Sequence, residues 1–252
     1  MEGTAVPGRL SSGPRPWEVA TVTTVTSETP SVRTIGLDVP SWPGHRAGQH
    51  LDVRLTAEDG YSAERSYSIA SASDDPVAIT VERLDDGEVS PYLTEDVGVG
   101  DQLEIRGPVG GYFVWETVDG GPLLLVGGGS GIVPLRAILR QREHSGSDVP
   151  VRLLYSARTL SELIYRDELD SYHDGVEIIY TLTRERPAGW TGYARRVDQA
   201  LLAEVAWSAG KGPLAFVCGP TSFVETVAAG LVGLGYPPER VKTERFGGTG
   251  GP

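Results

Sequence analysis

The sequence predicts two domains, an antiparallel β-barrel followed by an α/β domain built on a parallel sheet, and three observations carry that reading. From Glu18 to Gly107, short runs rich in Val, Ile, Thr and Tyr are broken by turn clusters such as Trp42-Pro43-Gly44, Glu58-Asp59-Gly60 and Asp85-Asp86-Gly87. After the linker Val118 to Pro122 the period changes, and apolar strands alternate with helical patterns. Between the two regimes stands LLLVGGGSGIVPLRAILR, Leu123 to Arg140, which passes from buried strand to glycine turn to helix within eighteen residues.

In chain order, residues 1–16 carry Gly, Pro, Ser and Arg without periodicity and read as a mobile arm. The barrel domain is expected over 17–117. Its strands fall near Glu18 to Thr26, Val32 to Asp38, His50 to Leu55, Arg65 to Ala70, Val77 to Arg83 and Gln102 to Arg106, with a short helix beginning at Ser90. The second domain is expected over 118–252. Strands at Leu123 to Val126, Val151 to Tyr155, Val176 to Thr181 and Ala215 to Val217 alternate with helices, so they pair in parallel through right-handed crossovers.

Ligands of such a sheet collect beyond the carboxyl ends of its strands, which directs attention to Gly127 to Ser130, Ser156 to Arg158, Thr183 to Arg184 and Cys218 to Pro220. The glycine turn itself suits a bulky anion, because bare backbone approaches closely and the N–H groups of the new helix favour negative charge. It matches neither standard motif. G-x-G-x-x-G fails at Ile132, and no Lys-Ser/Thr pair follows to make a P-loop. Pro134 falls in the first helical turn, where a missing N–H costs nothing.

Composition narrows the function classes. Twenty-two basic against 34 acidic residues, a net charge of −12, argue against binding nucleic acid or an anionic membrane surface. Cys218 is the only cysteine and the four His are scattered, so a disulfide framework, a cysteine-ligated iron–sulfur cluster and a structural zinc site are not expected, and no metal site is assigned. Without an apolar leader or spanning segment the chain reads as cytoplasmic, and it is expected to act as a monomer.

Read singly, the polar motifs have plain explanations. Arg65-Ser66-Tyr67-Ser68 is a strand with a solvated Arg, Ser90 a helix N-cap, Cys218 a buried thiol, and Glu244 and Phe246 a solvated carboxylate and a core ring. Taken jointly and in order, RSYS, the turn GEVS at Gly87 to Ser90, GGGSGIVP at Gly127 to Pro134, and CGP at Cys218 to Pro220 resemble the ferredoxin-NADP reductase superfamily from about Trp17 to Phe246. The resemblance implies a Greek-key FAD barrel followed by a Rossmann-like NAD(P) domain.

Residue by residue, it implies that Arg65 pairs with the flavin pyrophosphate, Tyr67 packs against the isoalloxazine, and Ser68 hydrogen-bonds near flavin N5. Gly87, Val89 and Ser90 would take the second part of the pyrophosphate, favouring FAD over FMN. Gly128, Gly129, Ser130, Gly131 and Pro134 form the nucleotide turn, and Cys218, Gly219 and Pro220 lie beside the nicotinamide. Ser156, Arg158, Thr183 and Arg184 would face the adenosine half, with the two arginines on a 2′-phosphate, which favours NADPH over NADH. Glu244 and Phe246 resemble the carboxylate and flavin-stacking aromatic that end plant-type members, although here Gly247 to Pro252 follow. The residues expected at the chemistry are Ser68, Cys218, Glu244 and Phe246.

The implied activity is hydride transfer from NADPH to FAD, then single electrons to a separate ferredoxin, flavodoxin or oxygenase component, since a fused [2Fe-2S] domain would need four cysteines. An NADH-dependent oxygenase reductase, a ferric-siderophore reductase and a non-catalytic flavin-binding subunit remain as alternatives. Arg240, Lys242 and Arg245 are expected to form a basic docking patch at the flavin edge.

Overall fold

In the computed structural model, which describes residues 15–246, the alternating runs of the first half pair into one antiparallel sheet. Strands β1 (Glu18–Thr29), β2 (Val32–Asp38), β3 (His50–Thr56), β4 (Ser62–Ser68), β5 (Ala78–Glu82) and β6 (Gln102–Val109) lie in the order β4-β3-β6-β1-β2-β5. The last strand of the six thus returns to the middle, a Greek-key connection. The two ends of that order meet: Ile69 bridges Ile79, and the Ala70 N–H donates to the Ala78 carbonyl at 2.8 Å. Every second side chain turns inward, so Ala20, Val22, Leu51, Val53, Leu103 and Ile105 fill the barrel, with Leu93 of α1 (Ser90–Glu95) packed into the same cluster.

The apolar runs of the second half form the parallel sheet. Strands β7 (Leu123–Gly128), β8 (Val151–Ala157), β9 (Val176–Leu182), β10 (Leu214–Pro220) and β11 (Val241–Phe246) take the order β11-β10-β7-β8-β9. Successive residues of β7 serve opposite faces: Leu123 and Leu125 pack with α2 (Ile132–His144) and α3 (Arg166–Ser171), while Leu124 and Val126 pack with α4 (Gln199–Val205) and α5 (Thr221–Gly233). A sheet covered on both faces needs such continuous apolar strands.

Two features depart from the sequence reading. β4 runs from Ser62 to Ser68, earlier than the expected Arg65 to Ala70, because its pairing with β3 ends at His50 opposite Ser68. The fifth parallel strand, β11, was not expected; VKTERF alternates polar and apolar residues as an edge strand does, not as a buried one. The arm expected over 1–16 lies outside the described residues except for Arg15 and Pro16, as does the segment after Phe246. Among the described residues no helix is long and apolar enough to cross a membrane.

The two halves share a core. Ala47, Ala70, Phe113 and Trp115 of the first half join the cluster of Leu135 and Phe216, and Phe113 meets Phe216 edge-on with ring centroids 5.2 Å apart.

Candidate active site at the domain crevice

Strand register brings four remote segments to one edge. Cys218 lies beside Gly127 on one side and Glu244 on the other, Gly128 beside Ser156, and Ser156 beside Thr181. The order reverses between β7 and β10, so the crevice outside their carboxyl ends is the switch point where such sheets bind ligands.

At that point the turn is packed backbone to backbone. A Cβ on Gly131 would overlap the Cys218 carbonyl oxygen and stand 2.8 Å from the Gly219 nitrogen, so no other residue fits there. Gly129 has φ +56°, a conformation other side chains resist, and opens a single 3-10 turn through Gly131 before α2 starts at Ile132. Pro134 is buried in the first turn of α2, as expected from the sequence. Glu82 reaches toward this turn from the barrel: its carboxyl oxygen lies 4.0 Å from where a Cβ on Gly129 would sit.

Three of the four residues expected at the chemistry fall beside the crevice in one line, joined by one that sequence reasoning missed. His50 is the cross-strand partner of Ser68, and its Nδ1 lies 3.8 Å from Oε1 of Glu244, which in turn neighbours Cys218. Burial pushes the Glu244 carboxyl up to about 7, and its Oε2 is buried with no hydrogen-bond partner among the described residues. Burial lowers His50, an effect that Asp52 only partly offsets. Cys218 is 1% exposed, and burial first, then Glu244, raises its thiol well above the ordinary range, so it stays neutral. Phe246, beside Pro220, packs partly buried against the shared core. Only pairing between β3 and β4 and across the domains reveals His50; in the sequence it is one polar residue at a strand start.

The segments expected to hold a pyrophosphate also meet. Arg65 reaches the turn at Gly87, where its Nη2 donates to Glu88 at 2.7 Å. Tyr67 packs half-buried against the barrel core, and burial keeps its phenol neutral. The Ser90 hydroxyl, however, accepts the Leu84 N–H at 3.1 Å and lies 2.7 Å from where a Cβ on Gly87 would sit. It shapes the turn instead of capping α1, whose N-cap is the buried Val89.

At the far side of the crevice, Arg158 and Arg184 follow β8 and β9, both exposed, with the Arg184 N–H donating to the Arg158 carbonyl at 2.9 Å. Among the described residues neither has an ion-pair partner. Thr183 bonds Ala157 through its backbone at 3.0 Å, and the Glu185 carboxylate is tied to the Leu160 N–H. Arg186, also exposed, stands two residues on.

The basic patch is corrected. Arg240 donates to the Gly212 and Pro213 carbonyls at the amino end of β11, and Lys242 donates to the Val114 carbonyl at 2.9 Å. A strand advances about 3.3 Å per residue, so six residues carry Arg240 to the other edge of the sheet. Of these three, only Arg245 is exposed beside the crevice.

Comparison with known proteins agrees with this geometry. The oxidoreductase FAD-binding domain family matches residues 19–114, and the oxidoreductase NAD-binding domain family matches 125–229. Ferredoxin–NADP reductase B of Sorangium cellulosum is 34% identical over 211 residues, covering 79% of this chain and 84% of that protein. The glycine betaine monooxygenase reductase subunit of Chromohalobacter salexigens is 31% identical over 234 residues, covering 89% of this chain, which spans only 63% of that relative's length. The solved Amycolatopsis cytochrome P450 reductase superposes with a TM-score of 0.80 at 26% identity, over 96% of this chain and 73% of that one.

Proposed function

The chain belongs to the ferredoxin-NADP reductase superfamily, and from that premise we propose that it passes hydride from NADPH to FAD at the crevice and single electrons on to a separate redox protein. The observation that carries this reading is the line from Ser68 through His50 and Glu244 to Cys218, set where the glycine turn meets β10. The buried Oε2 of Glu244, without a partner among the described residues, and the bare backbone at Gly131 fit a ligand pair that supplies a polar contact and needs close approach.

When bound, FAD supplies acceptance of two electrons from a nicotinamide and their release one at a time. The protein's share is placement and protons. Arg65 offers a planar fork to a pyrophosphate that would displace Glu88 as its partner, beside the tight turn Gly87 to Ser90. Gly128 to Gly131 and Cys218 to Pro220 form a floor on which the nicotinamide half can lie. Glu244, with a pKa about 7, can hold or release a proton at neutral pH, next to a thiol that stays neutral. Arg158 and Arg184, unpaired and adjacent, suit a 2′-phosphate, while the tethered Glu185 is not free for a ribose diol.

Relatives named as oxygenase reductase subunits favour an oxygenase component as acceptor, and the relative named ferredoxin–NADP reductase favours a ferredoxin. Purified protein should release FAD on denaturation, and Arg65→Ala should lose it. A panel of ferredoxins, flavodoxins, oxygenase components and ferric chelates, offered to the NADPH-reduced protein, identifies the acceptor. Release of FMN alone, or reoxidation only by ferric chelates, would overturn the cofactor or the acceptor respectively.

A further inference from the structure

Helix α2 begins at the glycine turn and presents Arg136, Arg140 and His144 at four-residue intervals, hence on one face. That face lies along 70–75, the segment that leaves β4 directly after Ser68. Arg136 Nη1 donates to the Ala70 carbonyl at 3.2 Å, and Gln141 Oε1 accepts the Ser73 N–H at 3.0 Å. Arg140 Nη1 and His144 Nδ1 lie 3.6 and 3.8 Å from the Asp75 carboxylate.

Arg136 is the innermost member, 8% exposed. Besides Ala70 it binds Glu168, through Nε at 3.0 Å and Nη2 at 2.6 Å, and its guanidinium lies 4.1 Å above the ring of Tyr165. The Tyr165 hydroxyl crosses back to the barrel and bonds Thr80 of β5. A guanidinium so engaged is spent on geometry. Buried ion pairs of this kind are often neutral for stability when replaced by apolar groups, so stability alone does not account for it.

We propose that Arg136 is a positioning residue for hydride transfer, holding the glycine turn at the head of α2 at a set distance from the end of β4 at Ser68. The inference rests on the proposed function, in which one ligand lies on the turn and the other against β4. Only Ile69 separates Ala70 from Ser68, and the first turn of α2 separates Arg136 from Gly131, so a shift of the guanidinium moves one site against the other. Lysine, a point charge with no fork, cannot hold Ala70 and both contacts to Glu168 together.

The test uses the FAD-loaded full chain with Arg136→Lys and Tyr165→Phe. A misplacement of about 1 Å costs up to roughly a hundredfold in rate, so flavin reduction at saturating NADPH should fall about tenfold to a hundredfold in Arg136→Lys and a few-fold in Tyr165→Phe. The KM for NADPH, and the Kd for NADP+ from calorimetry, should stay within about threefold, because the floor of the site is intact. Amide exchange over 70–73 should quicken in Arg136→Lys. An unchanged saturated rate, or a loss confined to KM, overturns the assignment. If Arg136→Lys does not fold, Tyr165→Phe decides by the same split between saturated rate and KM. Wild type that neither NADPH nor NADH reduces refutes the proposed function itself; reduced wild type with an unaffected variant refutes only the role of Arg136.

Discussion

Glu168 and Glu244 sit on opposite flanks of the domain interface with equal side-chain exposure, 25% each, and titrate in opposite directions. Burial would raise both. At Glu168, hydrogen bonds from Arg136 and Arg140 outweigh that effect and hold the carboxyl below its ordinary value. At Glu244, among the described residues, no hydrogen bond or cation offsets burial, Oε2 has no partner, and the carboxyl rises to about 7. One flank is therefore a closed latch in which each charge is matched, and the other keeps an unmatched group beside the crevice. An unmatched buried carboxylate of this kind is what the proposed role of Glu244 in proton handling requires.

The largest effect expected follows from breaking the latch. Glu168→Gln leaves the buried Arg136 without its anion and Arg140 with only Asp75, and should cost about 3 kcal/mol at pH 7 in denaturant titrations. Its folded pKa is lowered, so the wild-type advantage is present above the unfolded value and disappears as pH falls through the folded one. A deficit that persisted in acid would mean that Glu168 acts by packing.

Next come the unpaired arginines. Arg158→Ala and Arg184→Ala should each raise the KM for NADPH roughly tenfold to a hundredfold, since a charged hydrogen bond is worth about 1.5–3 kcal/mol. The KM for NADH and the unfolding midpoint should hardly move, as neither side chain has an ion-pair partner among the described residues. Equal losses with both coenzymes would remove the 2′-phosphate assignment.

The remaining effect has the opposite sign. The folded pKa of Glu244 is raised, so its favourable contribution is complete below about 4.5 and is lost as pH rises through about 7. Glu244→Gln should therefore match wild type near pH 4.5 and exceed it increasingly as pH rises through about 7 toward 8. A stability curve parallel to wild type at all pH values would make Glu244 an ordinary solvated carboxylate.

The latch and the crevice were not equally legible in the sequence. The crevice was read from Gly127 to Pro134 and Cys218 to Pro220, because continuous apolar strands ending in glycine can only be covered strands meeting a turn. The latch was invisible: Arg136 and Arg140 read as ordinary charges on an amphipathic helix, and their partners Ala70, Asp75 and Glu168 lie 28 residues or more away. His50 and β11 were missed for a related reason. Each takes its meaning from a neighbouring strand, and a polar edge strand carries no periodic signature of its own. The misplaced patch of Arg240 and Lys242 came from treating nearness in sequence as nearness in space along an extended strand.

Hydride transfer is tested most directly by anaerobic stopped-flow mixing of the FAD-loaded chain with NADPH and, separately, NADH, followed at the flavin absorption band. NADPH should bleach the band fully in a single turnover, and NADH should do so only at much higher concentration. Protein that retains FAD but is bleached by neither coenzyme would contradict the proposed hydride transfer.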